Sequence, residues 1–165
     1  MSLGTCEWIR QRQNVVVTGA TGTGKSYLAC ALVERACRSG FTAAYVRTPR
    51  LLHDLAVARG DGSYRRVLAK LAKIELLALD EWLLTPPSDP ERRDLLEVLE
   101  DRSEQSSTLI ATQLPVKSWH EIIGEASIGD AICDRIVHAS HRIALKGPSL
   151  RDPKSGKTTD VEAAE

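Results

Sequence analysis

The sequence has few aromatic residues and no long hydrophobic segment. Only seven of its 165 residues are Trp, Tyr or Phe, too few for a platform that stacks the bases of single-stranded nucleic acid. Uninterrupted apolar runs are short, as in Val15–Val17 and Leu76–Leu79, so neither a transmembrane helix nor a signal peptide is expected. The content of 42% hydrophobic and 27% charged residues excludes wholesale disorder and predicts one globular domain.

Cysteine pairs with metal-binding or redox spacing are also missing. The four cysteines, Cys6, Cys30, Cys37 and Cys133, contain no CxxC pair and are not spaced like zinc ligands. Because no secretion signal is present, we expect reduced thiols and a cytoplasmic protein.

The chain has no net charge, but its charges are segregated. Residues 1–74 contain 12 basic and 4 acidic side chains, whereas residues 75–104 contain 3 and 10. The basic segment includes Arg47, Arg50, Arg59, Arg65, Arg66, Lys70 and Lys73. Such a cluster is suited to the phosphates of DNA, independently of base sequence. Two alternatives are solvated helix faces and salt bridges to an acidic helix at residues 91–104.

Short β-branched or apolar runs alternate with helical patterns along the chain. Strands are predicted at residues 14–18, 43–46, 74–79, 108–112 and 142–145. Helices are predicted at 25–38, 50–58, 64–73, 89–102, 116–123 and 128–138. The run at 74–79 is apolar apart from Glu75, which indicates burial on both faces and therefore a parallel sheet. The fold class predicted is a three-layer α/β domain.

The domain is expected to span residues 6–151. Residues 1–5 are expected to be a leader or a cloning scar. Residues 152–165 lack apolar periodicity and are expected to form a disordered tail.

Residues 19–26 match the phosphate-binding pattern GxxxxGK[ST], here called the P-loop, and lie between a predicted strand and a predicted helix. Glycines in such a loop let successive N–H groups converge at a helix N-terminus, which favours an anion. Lys25 is expected to reach the β- and γ-phosphates of ATP, and the Ser26 hydroxyl to bind Mg²⁺. The predicted nucleotide-binding residues are Gly19, Ala20, Thr21, Gly22, Thr23, Gly24, Lys25, Ser26 and Tyr27.

Two adjacent acids, Asp80 and Glu81, end the apolar strand at 74–79. The carboxyl ends of the strands are the edge at which open α/β sheets bind ligands. Asp80 is expected to hold Mg²⁺, usually through water, and Glu81 to act as the general base on the attacking water. The alternative is a solvated acidic loop.

Gln113 follows the strand predicted at 108–112. If that strand lies beside the strand that precedes the P-loop, Gln113 can orient the attacking water or contact the γ-phosphate. The alternative is an ordinary turn residue at a strand end.

From Cys6 to Arg151 the sequence resembles the AAA+ ATPase domain of the IstB family of transposition helpers, which is closely related to DnaC-type helicase loaders. The P-loop and the LLALDE motif are common to many families. The more specific segments are LPVKSWHE (residues 114–121), DAICDRIVHASHRI (130–143) and LKGPSLR (145–151).

The resemblance implies a three-layer αβα P-loop NTPase of AAA+ type with a five-stranded parallel sheet. It implies that Gln113 is the sensor-1 residue, Arg135 an arginine finger that completes a neighbouring subunit's site, and Arg151 a sensor-2-like residue. With Lys25 and Glu81, these are the expected catalytic residues. Full-length relatives carry a helical region before this domain.

The function implied is that of an ATP-hydrolysing helper of insertion-sequence transposition. The expected partners are duplex DNA bound without sequence specificity, a cognate transposase and further copies of the chain in an ATP-dependent homo-oligomer, with no membrane. One alternative is a DnaC-like loader of a replicative helicase. Another is a nucleotide-dependent interaction module without hydrolysis, against which Glu81 argues.

Overall fold

A single twisted sheet forms the middle layer of the molecule. The computed structural model describes residues 2–151 and the backbone of residues 160–163. The strands are β1 (Asn14–Gly19), β2 (Ala43–Arg47), β3 (Leu76–Asp80), β4 (Ser107–Thr112), β5 (Ser140–Lys146) and β6 (Asp160–Ala163). Their order is β2-β3-β4-β1-β5-β6, in which the first five are parallel and β6 pairs antiparallel with β5. The predicted five-stranded parallel sheet is confirmed.

Helices cover both faces of the sheet. They are α1 (Glu7–Arg10), α2 (Lys25–Arg38), α3 (Thr48–Asp61), α4 (Tyr64–Lys73), α5 (Asp89–Arg102), α6 (Trp119–Ile123) and α7 (Ala126–Val137). Val15 and Val17 of β1 point to the core shared with α1 and α2, whereas Val16 points to the core shared with α3–α7. This alternation gives the predicted three layers. None of the described helices is both long and apolar enough to cross a membrane.

The strand order brings three separate motifs to one edge of the sheet. Strand β4 lies between β1 and β3, with Thr112 opposite Thr18 and Ile110 opposite Leu79. The carboxyl ends of these strands therefore lead into the P-loop, the acidic pair and Gln113 side by side. The role predicted for Gln113 requires β4 to lie beside β1, and the two strands are neighbours.

Arg102, at the end of α5, is a buried cation that fixes the position of α4. It is 1% exposed and donates hydrogen bonds to the carbonyls of Leu71 (2.6 Å) and Ile74 (2.7 Å), at the C-terminal end of α4. It also donates to the Thr108 hydroxyl and the Ser107 carbonyl of β4. Burial lowers the pKa of Arg102 to about 10. These bonds tie α4 to β4, the strand that Gln113 follows.

Short elements of regular structure lie near both ends of the chain. Leu3–Thr5 form a 3₁₀ turn that belongs to the domain, since Trp8 donates to the Leu3 carbonyl (3.0 Å) and Arg35 to the Gly4 carbonyl (2.9 Å). Residues 152–159 and 164–165 of the expected tail lie outside the described residues. Residues 160–163 form β6, which pairs with backbone groups that β5 would otherwise leave unpaired at the sheet edge.

Candidate functional site

A cleft of about 400 Å³ lies at the carboxyl edge of β1, β3 and β4. Volumes of this size are typical of small-molecule sites. The P-loop and the first turn of α2 contribute Thr21, Gly22, Gly24, Lys25, Ser26 and Tyr27 to its lining. The strand ends contribute Asp80, Glu81 and Gln113. Arg151, which was also predicted to belong to the site, lines the cleft as well.

The remaining predicted P-loop residues support the loop from behind. Thr23 is buried, and its hydroxyl donates a hydrogen bond to the Ala20 carbonyl (2.7 Å). A Cβ atom at Gly19 would lie 2.6 Å from the Thr23 hydroxyl and 2.8 Å from the Leu145 carbonyl oxygen. These contacts shape the loop without lining the cleft.

The P-loop backbone needs glycine at two positions. Gly22 has a φ of +84° and Gly24 a φ of +97°, in the left-handed region that side chains disfavour. A Cβ atom at Gly22 would also lie 2.1 Å from the Ser149 hydroxyl. Gly24 is the N-cap of α2 and provides no side-chain acceptor, so N–H groups of the first helical turn are left for an anion.

Lys25 begins α2 and lies next to the cleft. Its ammonium donates to the Ala20 carbonyl of the P-loop (2.8 Å). Burial lowers the pKa of Lys25, and the positive charge of Arg151 lowers it further, while Asp80 opposes the shift. An anion bound in the loop would offer this ammonium a stronger partner than a neutral carbonyl.

Ser26 and Asp80 form the oxygen pair predicted to hold Mg²⁺. The Ser26 hydroxyl donates to Oδ2 of Asp80 at 2.5 Å, and the Glu81 N–H donates to Oδ1 at 2.8 Å. Hard oxygen donors fit Mg²⁺, which proteins usually hold with one or two carboxylates together with substrate phosphates. Within the described residues no group of three or more His, Cys, Asp or Glu could hold a metal.

Tyr45 of β2 also contacts the Asp80 carboxylate. Neither its residue type nor its position in the sequence predicted a place in the site. Its hydroxyl donates a short hydrogen bond to Oδ2, the oxygen that also accepts from Ser26. Burial and this hydrogen bond raise the pKa of Tyr45 to about 12.

Glu81 has an unusual backbone conformation that is fixed by β4. Its φ is +54°, which is uncommon for a residue with a side chain. The next residue, Trp82, donates its N–H to the Ala111 carbonyl (3.0 Å), and its own carbonyl accepts from the Thr112 hydroxyl (2.8 Å). These bonds hold the turn after β3 against the end of β4, and strained positions of this kind cluster at functional sites.

Arg47 is a second functional candidate that the sequence did not assign to this site. It lies at the end of β2 and binds both carboxylate oxygens of Glu81, at 3.0 and 2.9 Å. The hydrogen bonds and the charge of Glu81 raise the pKa of Arg47. The sequence signal was a cation at the end of a strand, but only the pairing of β2 with β3 shows which acid it faces.

Gln113 reaches the P-loop directly. Its side-chain oxygen accepts a hydrogen bond from the Thr21 hydroxyl (2.9 Å). This contact leaves the NH₂ group of Gln113, which lines the cleft, as the donor of the amide.

The segment that contains Arg151 packs on the P-loop. The Leu150 N–H donates to the Gly22 carbonyl (2.7 Å), and both Leu150 and Arg151 line the cleft. Together with Tyr27, which is 82% exposed, and Leu84, Leu150 gives the cleft an apolar rim.

Arg135 lies away from the cleft of its own chain. It is on α7, where its guanidinium pairs with Glu100 (3.3 Å) and with Asp134 (3.4 Å). It is not among the residues that line the cleft. A role for Arg135 in hydrolysis would therefore need the site of another subunit.

The fold and the cleft define a P-loop nucleotide-binding domain of the αβα type. Residues 1–158 match the family model described as IstB-like ATP-binding protein, and the chain belongs to this family. An insertion-sequence ATP-binding protein of Sinorhizobium fredii is 52% identical over 145 residues, which cover 88% of this chain and 59% of the relative. This chain thus spans less than two thirds of that relative's length.

Solved structures of AAA+ ATPases share the fold. The DnaC helicase loader superimposes with a TM-score of 0.72 at 19% identity, and the match covers 87% of each chain. The replication initiator DnaA bound to AMPPCP and single-stranded DNA gives a TM-score of 0.71 at 12% identity, over 88% of this chain and 45% of DnaA. The predicted AAA+ fold is confirmed.

Proposed function

We propose that this chain is the ATP-hydrolysing domain of a DNA-binding helper of insertion-sequence transposition. The observation that carries the proposal is the meeting of Lys25, Asp80, Glu81 and Gln113 around one cleft. A module that only binds nucleotide needs the P-loop, whereas a carboxylate and an amide facing it from two other strands are the groups that activate a water molecule.

The polar groups of the cleft have distinct roles in this proposal. The P-loop N–H groups and the Lys25 ammonium bind the phosphates of ATP, and the ammonium leaves the Ala20 carbonyl to do so. Glu81 accepts the proton of the attacking water. Gln113, which Thr21 orients, positions that water. Ser26 and Asp80 would hold Mg²⁺, which when bound neutralises charge on the β- and γ-phosphates.

Homo-oligomerisation completes the site in this proposal. Arg135 would leave Glu100 and contact the γ-phosphate bound by a neighbouring copy, while Arg151 would contact the nucleotide of its own chain. ATP that is shared by two subunits stabilises the assembly that it bridges. The position of Arg135 outside its own cleft supports a role in trans.

Helix α4 is the surface that we propose for duplex DNA. Arg66, Lys70 and Lys73 recur at spacings of four and three residues and share one face, with Arg65 beside them, and all four are exposed. None of these four forms an ion pair with any described residue. Hydrogen bonds from Ser63 lower the pKa of Asp61, and the charge of Arg66 adds to that effect.

Of the seven cations named above in the basic segment, the three outside α4 already have partners. Arg47 pairs with Glu81, Arg50 with Asp54, and Arg59 with Asp94 of the acidic helix α5. The salt-bridge alternative from the sequence thus holds for Arg59. The unpaired cations of α4 remain available to phosphates, and their charge supports sequence-independent contact with the DNA backbone.

We propose that the protein partner is a transposase rather than a replicative helicase. We also propose that the chain works in the cytoplasm. The Sinorhizobium fredii relative, which is named as an insertion-sequence ATP-binding protein, is 52% identical, whereas the DnaC helicase loader shares the fold at 19% identity. DnaA, which shares the fold, was solved with AMPPCP and single-stranded DNA, and this supports a domain that binds both nucleotide and DNA.

Lys25→Ala tests the nucleotide site. Loss of a charge-assisted contact to phosphate should weaken ATP binding about a hundredfold and abolish phosphate release. Lys117→Ala, which removes an exposed lysine outside the cleft, is the matched control and should behave like the wild type. Equal ATP affinity of both variants would contradict the assigned phosphate site, and tight ATP binding without phosphate release in the wild type would contradict hydrolysis.

A further inference from the structure

The Asp80 carboxylate receives three hydrogen bonds from the protein. Ser26 and Tyr45 donate to Oδ2, and the Glu81 N–H donates to Oδ1. A carboxylate has about four acceptor positions. Tyr45 and Ser26 therefore occupy Oδ2, and Oδ1 keeps one position that can face the cleft.

The pairing of β2 with β3 explains how a tyrosine reaches this carboxylate. Tyr45 lies directly opposite Ala78, two residues before Asp80 on the same face of the sheet. The Ala78 methyl group is small enough for the ring to lie along β3, where it packs on the core beneath α2. The hydroxyl then extends to the end of the strand, where Asp80 is 3% exposed.

We propose that Tyr45 is a positioning residue for the metal site, and that its hydroxyl fixes the orientation in which Asp80 meets Mg²⁺. The inference rests on the proposed function, because it assumes that Asp80 is a ligand or a water-mediated ligand of that ion. A carboxylate that is held from behind by a second donor loses less freedom when the ion binds. Without the Tyr45 hydroxyl, the carboxylate keeps only the two bonds from Ser26 and Glu81 and can rotate.

Tyr45→Phe removes the hydroxyl and keeps the ring. Tyr64→Phe is the matched control, because the Tyr64 hydroxyl also donates to a buried carboxylate, that of Asp94 (2.7 Å), outside the cleft. The affinity of the protein–ADP complex for Mn²⁺, a paramagnetic substitute for Mg²⁺, is measured by electron paramagnetic resonance. The affinity for ADP is measured separately in EDTA, and the melting temperature of each variant is recorded.

Loss of the Tyr45 hydroxyl should weaken Mn²⁺ binding about tenfold, within the range for residues that support metal ligands. The affinity for ADP in EDTA should stay within twofold of the wild type, and Tyr64→Phe should change neither affinity. Unchanged Mn²⁺ affinity in Tyr45→Phe would overturn the inference, as would tighter Mn²⁺ binding, which would mean that Tyr45 competes with the ion. An equal loss of ADP affinity in EDTA would also overturn it, because the role would then be structural.

The wild-type protein separates this inference from the proposed function. If its ADP complex binds no Mn²⁺, the metal site assigned to Ser26 and Asp80 is wrong, and the role of Tyr45 falls with it. If it binds Mn²⁺ and Tyr45→Phe binds equally well, only the role of Tyr45 is wrong.

Discussion

Arg47 and Glu81 form a two-point ion pair between the ends of neighbouring strands. Both carboxylate oxygens of Glu81 accept from the guanidinium, at 2.9 and 3.0 Å. Glu81 is the residue proposed to accept the proton of the attacking water, so its oxygens are occupied by a cation that lies outside the cleft lining. The ion pair therefore limits how often a Glu81 oxygen is free to accept the proton of the attacking water.

Replacing Arg47 with Ala should raise the rate of phosphate release in the absence of DNA. The substitution frees both oxygens of Glu81, and we expect an increase of about two- to fivefold, the range for loss of an exposed ion pair. ATP affinity should not change, because Arg47 does not line the cleft. Steady-state phosphate release and equilibrium ATP binding measure the two effects.

Arg50→Ala is the control for this prediction. Arg50 is an exposed arginine of the same segment, and its partner is Asp54 rather than Glu81. Its removal should leave phosphate release at the wild-type rate. Slower release in Arg47→Ala, with Arg50→Ala unaffected, would show instead that Arg47 holds Glu81 in its working orientation.

Arg135→Ala should lower phosphate release about a thousandfold or more without weakening ATP binding, as expected for an arginine that acts on transition-state charge. A mixture with Lys25→Ala subunits tests whether the effect acts between chains. The first variant keeps an intact P-loop, and the second keeps an intact Arg135, so mixed interfaces should regain activity.

Arg93→Ala serves as the control for the mixing experiment, because it removes an exposed arginine of α5 that forms no ion pair with any described residue. Arg93→Ala alone should release phosphate at the wild-type rate. When it is mixed with Lys25→Ala, the rate should not exceed the rate that the Arg93→Ala subunits give alone. If Arg135→Ala and Lys25→Ala stay inactive when mixed under conditions in which they assemble, Arg135 does not act in trans.

Local motifs explain which parts of this site could be predicted. The P-loop is one continuous segment, and Asp80 and Glu81 are adjacent in sequence. The chemistry of each motif follows from its residue types and from the strand that precedes it. Gln113 needed one further fact, the adjacency of β4 and β1. Tyr45 and Arg47 could not be assigned, because their partners are more than thirty residues away and are fixed only by the register of β2 against β3.

The short elements at the two ends of the described chain depend on contacts that are distant in sequence. Residues 3–5 have no apolar periodicity, and their place in the domain depends on hydrogen bonds from Trp8 and Arg35. Strand β6 likewise depends on the open edge of β5 rather than on a strong pattern of its own. Tertiary contacts of this kind are not encoded within a short window of sequence.

If the unpaired cations of α4 bind DNA phosphates, the affinity for DNA should fall steeply as salt concentration rises. Replacing Arg66, Lys70 and Lys73 with Ala should weaken binding to a duplex and reduce the slope of log K against log salt by about 0.9 for each phosphate that the variant no longer neutralises. Fluorescence anisotropy with two duplexes of unrelated sequence, titrated at several salt concentrations, measures the slope, which should be the same for both.

Arg50→Ala is the control, because the guanidinium that it removes is paired with Asp54, and it should change the slope little. A wild-type slope in the triple variant would place the DNA on another surface, because α4 carries no acidic residue that could mask the removal of three charges.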